Sequence, residues 1–171
     1  MISNHIKDFI EEIIKKYSYK NDRGMEVKIV KNARDEDKLR TNRQFPFFSL
    51  LTANGSVEEK GISNYVNWKE NGKEWSAYIR GILKMPLEVR VFAETEEEAN
   101  NLLFETIRNV PDKWQLGNYK DRIELGEVAI SDWSSSLLNG TLASCFVNFY
   151  MPIATTKKEV ITTFIKGEQD E

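Results

Sequence analysis

Tyr65-Val66-Asn67-Trp68-Lys69-Glu70-Asn71-Gly72-Lys73-Glu74-Trp75-Ser76-Ala77-Tyr78 is the stretch whose reading decides the fold. Asn71-Gly72 is a type I′ turn signal, because both residues tolerate the positive φ that a two-residue hairpin loop demands. A turn there sets Lys69 opposite Glu74, Trp68 opposite Trp75, Val66 opposite Ala77 and Tyr65 opposite Tyr78. One ion pair and two aromatic pairs fall into register together, each cross-strand pair worth about 0.2–1 kcal/mol. The stretch predicts an antiparallel hairpin.

Two further Asn-Gly pairs lie on either side. Asn139-Gly140 predicts a closing hairpin with Trp133 opposite Phe146, Ile130 opposite Phe149 and Val128 opposite Met151. Asn54-Gly55 would set Leu51 and Leu50 against Glu58 and Glu59, so it predicts a plain loop. Pro86 opens a period-two strand, Leu87-Glu88-Val89-Arg90-Val91-Phe92. Thr95-Glu96-Glu97-Glu98 is a capping box, and the helix it starts runs through Ala99, Leu102, Leu103, Thr106, Ile107 and Val110, ending before Pro111. Ile123 and Leu125 share one parity and Val128 and Ile130 the other, which predicts a bulge at Gly126.

At the amino end, Ile2, Ile6, Phe9, Ile10, Ile13, Ile14 and Tyr17 recur at helical spacing, with Ser3 or Asn4 as the expected cap. Asn21-Asp22-Arg23-Gly24 breaks this pattern, and Met25 to Lys31 alternates around Val27 and Ile29 as a short strand. Residues 32–44 are charged and nearly free of apolar groups, which predicts an exposed loop. Thr155 to Ile165 carries both helix and strand signals, and about 153–171 reads as a tail. The order of elements predicts one α+β domain over 1–171. Its sheet is mainly antiparallel and twisted, with the N-terminal helix and the mid-chain helix packed on it.

The chain has 171 residues, 40% apolar and 30% charged, enough for a core without a disulfide or metal staple. Cys145 is the single cysteine, which removes an intramolecular disulfide and fits a reducing compartment. The formal charge of -3 argues against a binder held by nucleic-acid phosphates. It is unevenly spread: residues 1–43 carry 11 bases and 8 acids, the remainder 13 and 19. No run of 18 apolar residues and no secretory signal are present, so a cytoplasmic protein is expected, with no membrane partner.

The catalytic inventory is thin. His5 is the only histidine and reads as a solvent-facing helix residue, which leaves a Ser-His-Asp or Cys-His machine nothing else to use. Cys145 shares its parity with Val147 and Phe149 and reads as a small core residue. There is no phosphate loop, no dinucleotide fingerprint and no Cys or His pair at metal spacing. Glu124, Glu127 and Asp132 are the acids that a metal-dependent hydrolase would use, and no base stands at a telling distance from them. The expectation is a protein that is not an enzyme, with no cofactor and no metal.

Several strands are apolar on both faces: Ala143, Cys145, Val147, Phe149 and Met151 on one parity, Leu142, Phe146 and Tyr150 on the other. Either helices cover both faces or a neighbouring subunit covers the remainder. If a neighbour does, the contact residues are the outward aromatic groups Tyr65, Tyr78, Phe92 and Trp133, together with Arg34, Arg40 and Arg43 of the charged segment.

The stretch Pro86-Leu87-Glu88-Val89-Arg90-Val91-Phe92-Ala93-Glu94-Thr95-Glu96-Glu97-Glu98-Ala99-Asn100-Asn101-Leu102-Leu103-Phe104-Glu105-Thr106-Ile107 resembles the strand-then-helix unit of phage tail terminator (tail completion) proteins. The whole layout is similar too: an amphipathic helix, a hairpin, that unit, then a long closing hairpin. The resemblance implies a homo-oligomeric ring, usually a hexamer, that caps the tail tube, halts its polymerisation and presents a surface to the head connector, with tube, sheath or connector proteins as partners. It implies a virion or a tail-like bacteriocin particle, assembled in the bacterial cytoplasm. It brings no catalytic residue, no cofactor and no sequence-specific nucleic acid. A different class of reading is a monomeric or dimeric domain that binds a ligand or peptide on the aromatic sheet face.

Overall fold

The computed structural model describes residues 2–59, 65–117, 119–135, 138–154 and 158–159. The order is α1 (Ile2–Tyr17), β1 (Lys28–Val30), α2 (Ala33–Thr41), β2 (Phe47–Thr52), β3 (Ser56–Glu59), β4 (Tyr65–Glu70), β5 (Lys73–Ala93), α3 (Glu96–Ile107), β6 (Lys113–Leu116), β7 (Tyr119–Ser135), β8 (Leu138–Ala154) and β9 (Lys158–Glu159). The fold is α+β with a predominantly antiparallel sheet. The chain divides into two compact units, Met1–Gly55 with Met85–Tyr150, and Ser56–Lys84 with Met151–Glu171.

In the first unit the strands run β1-β2-β5-β8-β7-β6; β1 and β2 pair parallel, while β2 with β5, β8 with β7 and β7 with β6 pair antiparallel. α1 buries Ile6, Ile10 and Ile14, as its apolar spacing predicts. Each such burial is worth about 1.5–3 kcal/mol. The helix begins at Ile2, so Ser3 and Asn4 lie inside it and neither caps it. α3 starts at the predicted cap, where the Thr95 hydroxyl accepts from the Glu98 N–H at 3.2 Å. Burial pushes the Glu98 carboxyl up, with Asp22 and Glu94 adding to it. The buried hydroxyls of Ser18 and Thr106 are hydrogen-bonded at 2.8 Å and tie the exit of α1 to α3.

Both faces of the β2–β5 pair are buried. Phe47, Ser49, Arg90 and Phe92 share one face, since Phe47 pairs with Phe92 and Ser49 with Arg90. Phe48, Leu50, Val89 and Val91 form the other, and all four are fully buried.

Residues 32–44 are not a loop. Asn32 caps α2 by accepting from the Asp35 N–H at 2.8 Å, and Asp35 and Glu36 sit in the first turn, where the helix dipole favours acids. Arg43 leaves the helix at φ +54, while Gln44 N–H donates to the Leu39 carbonyl at 3.0 Å. The residue that α2 buries is Glu36, 5% exposed, and its partner is Arg90 at 3.2 Å on the face of Ser49 and Phe92. The helix docks through an ion pair, which apolar spacing does not reveal.

β5 is one strand of 21 residues, where alternation predicts two separated by Pro86. Pro86 fits because β5 changes partner beside it: β2 ends opposite Leu87 and β3 begins opposite Lys84. The Pro86 carbonyl accepts from the Ala53 N–H at 3.1 Å. A residue's N–H and C=O point to the same side of an extended strand, so the missing donor falls in the gap between partners. Asn54-Gly55 is accordingly a connection between two neighbours of β5 and not a hairpin turn.

In the second unit β4 and β5 form the predicted hairpin in the predicted register, Tyr65 to Tyr78, Trp68 to Trp75 and Lys69 to Glu74. Asn71 at φ 53 and Gly72 at φ 76 make its turn. β3 and β9 also pair with β5. β9 is the described part of the ambiguous C-terminal run; residues 160–171 of the predicted tail lie outside the described residues.

The closing hairpin differs from its prediction. Trp133 pairs with Gly140, Ile130 with Ala143 and Val128 with Cys145, so Asn139-Gly140 is inside β8 and is not its turn. The bulge is where parity places it. The register shifts between Leu125 and Val128, and a Cβ on Gly126 would meet Asn148 Nδ2 at 3.0 Å and Phe146 Cβ at 3.1 Å.

Candidate functional site

The feature with most chemical consequence is a row of exposed apolar side chains on β7. Leu125 is 51% exposed, Val128 41% and Ile130 43%. Their partners Val147, Cys145 and Ala143 are fully buried, and antiparallel partners share a face. The row therefore continues the core face of the sheet past its cover. That cover is thick at the other end of the pair. Ile123 and its partner Phe149 are buried, with Phe9 of α1 at 5.8 Å and Trp114 of β6 at 5.2 Å from the Phe149 ring, both edge-on. The Trp114 indole N–H donates to the Tyr150 carbonyl at 2.6 Å.

The outer edge of this strand is open. β6 pairs with β7 only as far as Arg122, and among the described residues no strand lies beyond it from Ile123 onward. The bulge twists this edge, which disfavours a further strand adding to the ladder. Side chains, not backbone groups, are what it presents.

On the reverse face of β7, Arg122 Nε donates to Glu124 at 2.9 Å, the Tyr150 hydroxyl donates to the same carboxylate at 3.1 Å, and the Arg122 guanidinium lies 3.8 Å from the Tyr150 ring centroid. Burial raises the Tyr150 phenol pKa, and the Glu124 carboxylate raises it further. Glu124 is thus engaged in a surface network. Glu127 is exposed on the bulge, and the Asp132 side chain lies outside the described residues. The three acids sit along one strand, and among the described residues no group of three or more His, Cys, Asp or Glu side chains is placed to hold a metal ion.

At the opposite edge of the same sheet, β1 borders an open hollow of about 430 Å³ whose apolar lining is Val27, Ile29, Val30 and Leu39. Charges ring it. Lys31 binds Asp8 at 2.7 Å and also Glu11, and Glu11 binds Lys15 at 3.0 Å. The hydrogen bond from Lys31 holds the Asp8 and Glu11 carboxyls below their usual range, and those two carboxylates raise Lys31.

The residues proposed from sequence for subunit contact divide between the two units, Tyr65 and Tyr78 in the second and the others in the first. Arg34 and Arg43 are exposed on α2 and at its exit, and Arg40 is half-buried, binding Asp37 at 2.7 Å. Phe92 is corrected: it is 1% exposed, stacked on Phe47 at 4.9 Å with Arg90 over its ring, so it belongs to the core. Alternation placed it outward because it assumes one open face, and α2 closes that face here. Tyr78 is half-buried in the second unit. Tyr65 and Trp133 are placed by their backbone alone, their side chains lying outside the described residues. Leu125, Val128 and Ile130 were legible as strand residues but not as exposed ones, because exposure depends on where the helices end.

His5 is exposed, its ring 6.0 Å from Trp114. Cys145 is buried, and burial pushes its thiol pKa up, which makes it a poor nucleophile. Among the described residues no helix is long and apolar enough to cross a membrane. No family model matches the chain, and no curated protein matches it either.

Proposed function

We propose that this chain is a structural subunit of a ring that caps a phage-type tail tube, ends tube growth and offers the head-joining surface. The observation that carries the reading is the apolar row Leu125, Val128 and Ile130, left uncovered on the core face of an open strand edge. Apolar surface grouped in this way marks a site that meets another protein. The order of elements supports it: an amphipathic helix, a hairpin, a strand–helix unit and a long closing hairpin.

The test is assembly. Mass in solution reports a closed oligomer, with a hexamer expected, and addition of the chain to polymerising tail-tube protein shortens the tubes and leaves a ring at one end in electron micrographs. Tubes that grow to unchanged length in its presence overturn the reading. A second reading, a domain binding a peptide or small ligand on aromatic strands, draws on Trp68 and Trp75, which face each other half-buried across the second unit's hairpin. The Trp68 indole nitrogen is buried without a hydrogen-bond partner there, a donor that a ligand carbonyl would satisfy. Quenching of tryptophan fluorescence by a peptide, with no oligomer formed, favours this second reading.

A further inference from the structure

We infer that α2 is a hinged cover. It opens as a unit from the β2–β5 face while the sheet beneath stays folded, and the Glu36–Arg90 pair is the latch that sets how often it does so. The inference goes beyond the capping role and does not depend on it, since it concerns one helix and the face that helix closes.

The first observation is what α2 lacks. A helix this short is marginal on its own and normally draws its stability from an apolar face packed on the core. Five of the nine residues of α2 are exposed, its one leucine, Leu39, is half-buried, and the side chain it buries is Glu36.

The second observation is how poorly that side chain is paired. Glu36 Oε1 meets Arg90 Nη2 at 3.2 Å. The other carboxylate oxygen, Oε2, is buried without a hydrogen-bond partner among the described residues, and so is Arg90 Nε. The Ser49 hydroxyl, across the β2–β5 ladder from Arg90 on the same face, is a third such atom. Glu88 Oε2 stands 3.9 Å from Arg90 Nη1, too far for a hydrogen bond. A guanidinium and a carboxylate can join through two parallel bonds, and with Oε2 and Nε both unpaired they do not do so here. Three polar atoms at one contact have left water without a bond in return. Opening α2 gives all three back to water.

What the cover closes is aromatic. Phe47 and Phe92 stack at 4.9 Å on that face, both shut from water, with the Arg90 guanidinium 5.3 Å from the Phe92 ring centroid. Both ends of α2 leave helical geometry within two residues, Asn32 in the extended region and Arg43 at φ 54. Rotation at these two element ends swings the helix without disturbing β1 or β2. The open form presents two stacked rings beside a free guanidinium.

The experiment uses the full chain carrying Ser49→Cys. Ser49 is fully buried and its hydroxyl has no partner, so the substitution removes no hydrogen bond, and the new thiol is reached only when α2 lifts or the sheet unfolds. Cys145, fully buried in the same unit, reports unfolding of the sheet in the same sample. Where reclosing outruns labelling, the rate of reaction with a thiol reagent measures the open fraction. The thiol at position 49 is expected to react at least about tenfold faster than Cys145, at a rate that low urea hardly changes. Adding Arg90→Met leaves Glu36 buried and unpaired, and is expected to speed labelling at position 49 by about tenfold or more with Cys145 unaffected. Adding Glu36→Met as well replaces the pair with apolar groups, and is expected to return the rate to its starting value or below. Equal rates and equal urea dependence at the two thiols overturn the inference, because only unfolding of the sheet would then reach position 49. A double substitution that labels as fast as Arg90→Met alone overturns the latch. Should Ser49→Cys fail to fold, hydrogen exchange on the unaltered chain decides. The Lys38, Leu39 and Arg40 amides of α2 are then expected to exchange together and at least about tenfold faster than the Ile10 and Ile14 amides of α1, and matching rates overturn the inference.

Discussion

Two hairpins in this molecule carry the same Asn-Gly pair, and only one of them turns on it. In the β4–β5 hairpin, Asn71 and Gly72 occupy the positive-φ positions and every cross-strand pair follows from them. In the β7–β8 hairpin, Gly140 sits in the ladder opposite Trp133, and the expected partner, Phe146, lies six positions further on. A shift of six keeps every residue on its own face, so alternation is blind to it; only turn chemistry and side-chain volume distinguish the two registers. The observed register sets Val128 against Cys145 and Ile130 against Ala143, and it brings Gly126 against Phe146 and Asn148, where an added Cβ would stand 3.0–3.1 Å from their side chains. A short hairpin with strong pairs obeys its turn. A hairpin with two 17-residue arms obeys its packing.

The sharpest way to break this contrast is Gly126→Val. The new side chain starts 3.0 Å from Asn148 Nδ2 and 3.1 Å from Phe146 Cβ, so it forces the bulge apart, at a cost of about 1–3 kcal/mol typical of overpacking. Urea unfolding reads the loss. Cys145, fully buried and paired with Val128 beside the bulge, supplies a local signal: its reaction with a thiol reagent in the folded protein should speed up in this variant. The next effect in size is Gly72→Ala, which destabilises by about 1 kcal/mol because a left-handed backbone strains an L side chain. Space is no obstacle there, since nothing lies within 4 Å of the added methyl. The thiol reaction should stay at its wild-type rate in that variant, since the strain sits in the second unit's hairpin. Equal acceleration in both would mean that the two hairpins do not differ in what holds them.

Legibility in the sequence follows the same division. α1, α3, the β4–β5 register and the Gly126 bulge were readable because each depends on neighbours close in sequence: helical spacing, a capping threonine, a turn pair, a change of parity. α2 was not, because it is held by Glu36 reaching Arg90, and a charged residue in a charged segment gives no sign of burial. Phe92 was assigned outward for the same reason, since nothing in its own strand announces that α2 covers it. The candidate contact surface was half readable. Leu125, Val128 and Ile130 were recognisable as strand residues, but which apolar residues stay uncovered is decided by where α1, α3 and β6 stop.

The smallest expected effect is the most informative about the closing hairpin. Gly140→Ala places a methyl at a position that lies in a strand and requires no positive φ. Glycine in a strand interior is weaker than alanine by about 0.5–1 kcal/mol, so the variant should unfold at the same urea concentration as wild type or slightly higher. A loss as large as that of Gly72→Ala would mean that Asn139-Gly140 is the turn after all. Val128 would then face Met151 and Ile130 would face Phe149, on the same face of the sheet but six positions further along β8. A chain that tolerates the methyl keeps Gly140 in the ladder opposite Trp133, with Val128 set against Cys145 and Ile130 against Ala143.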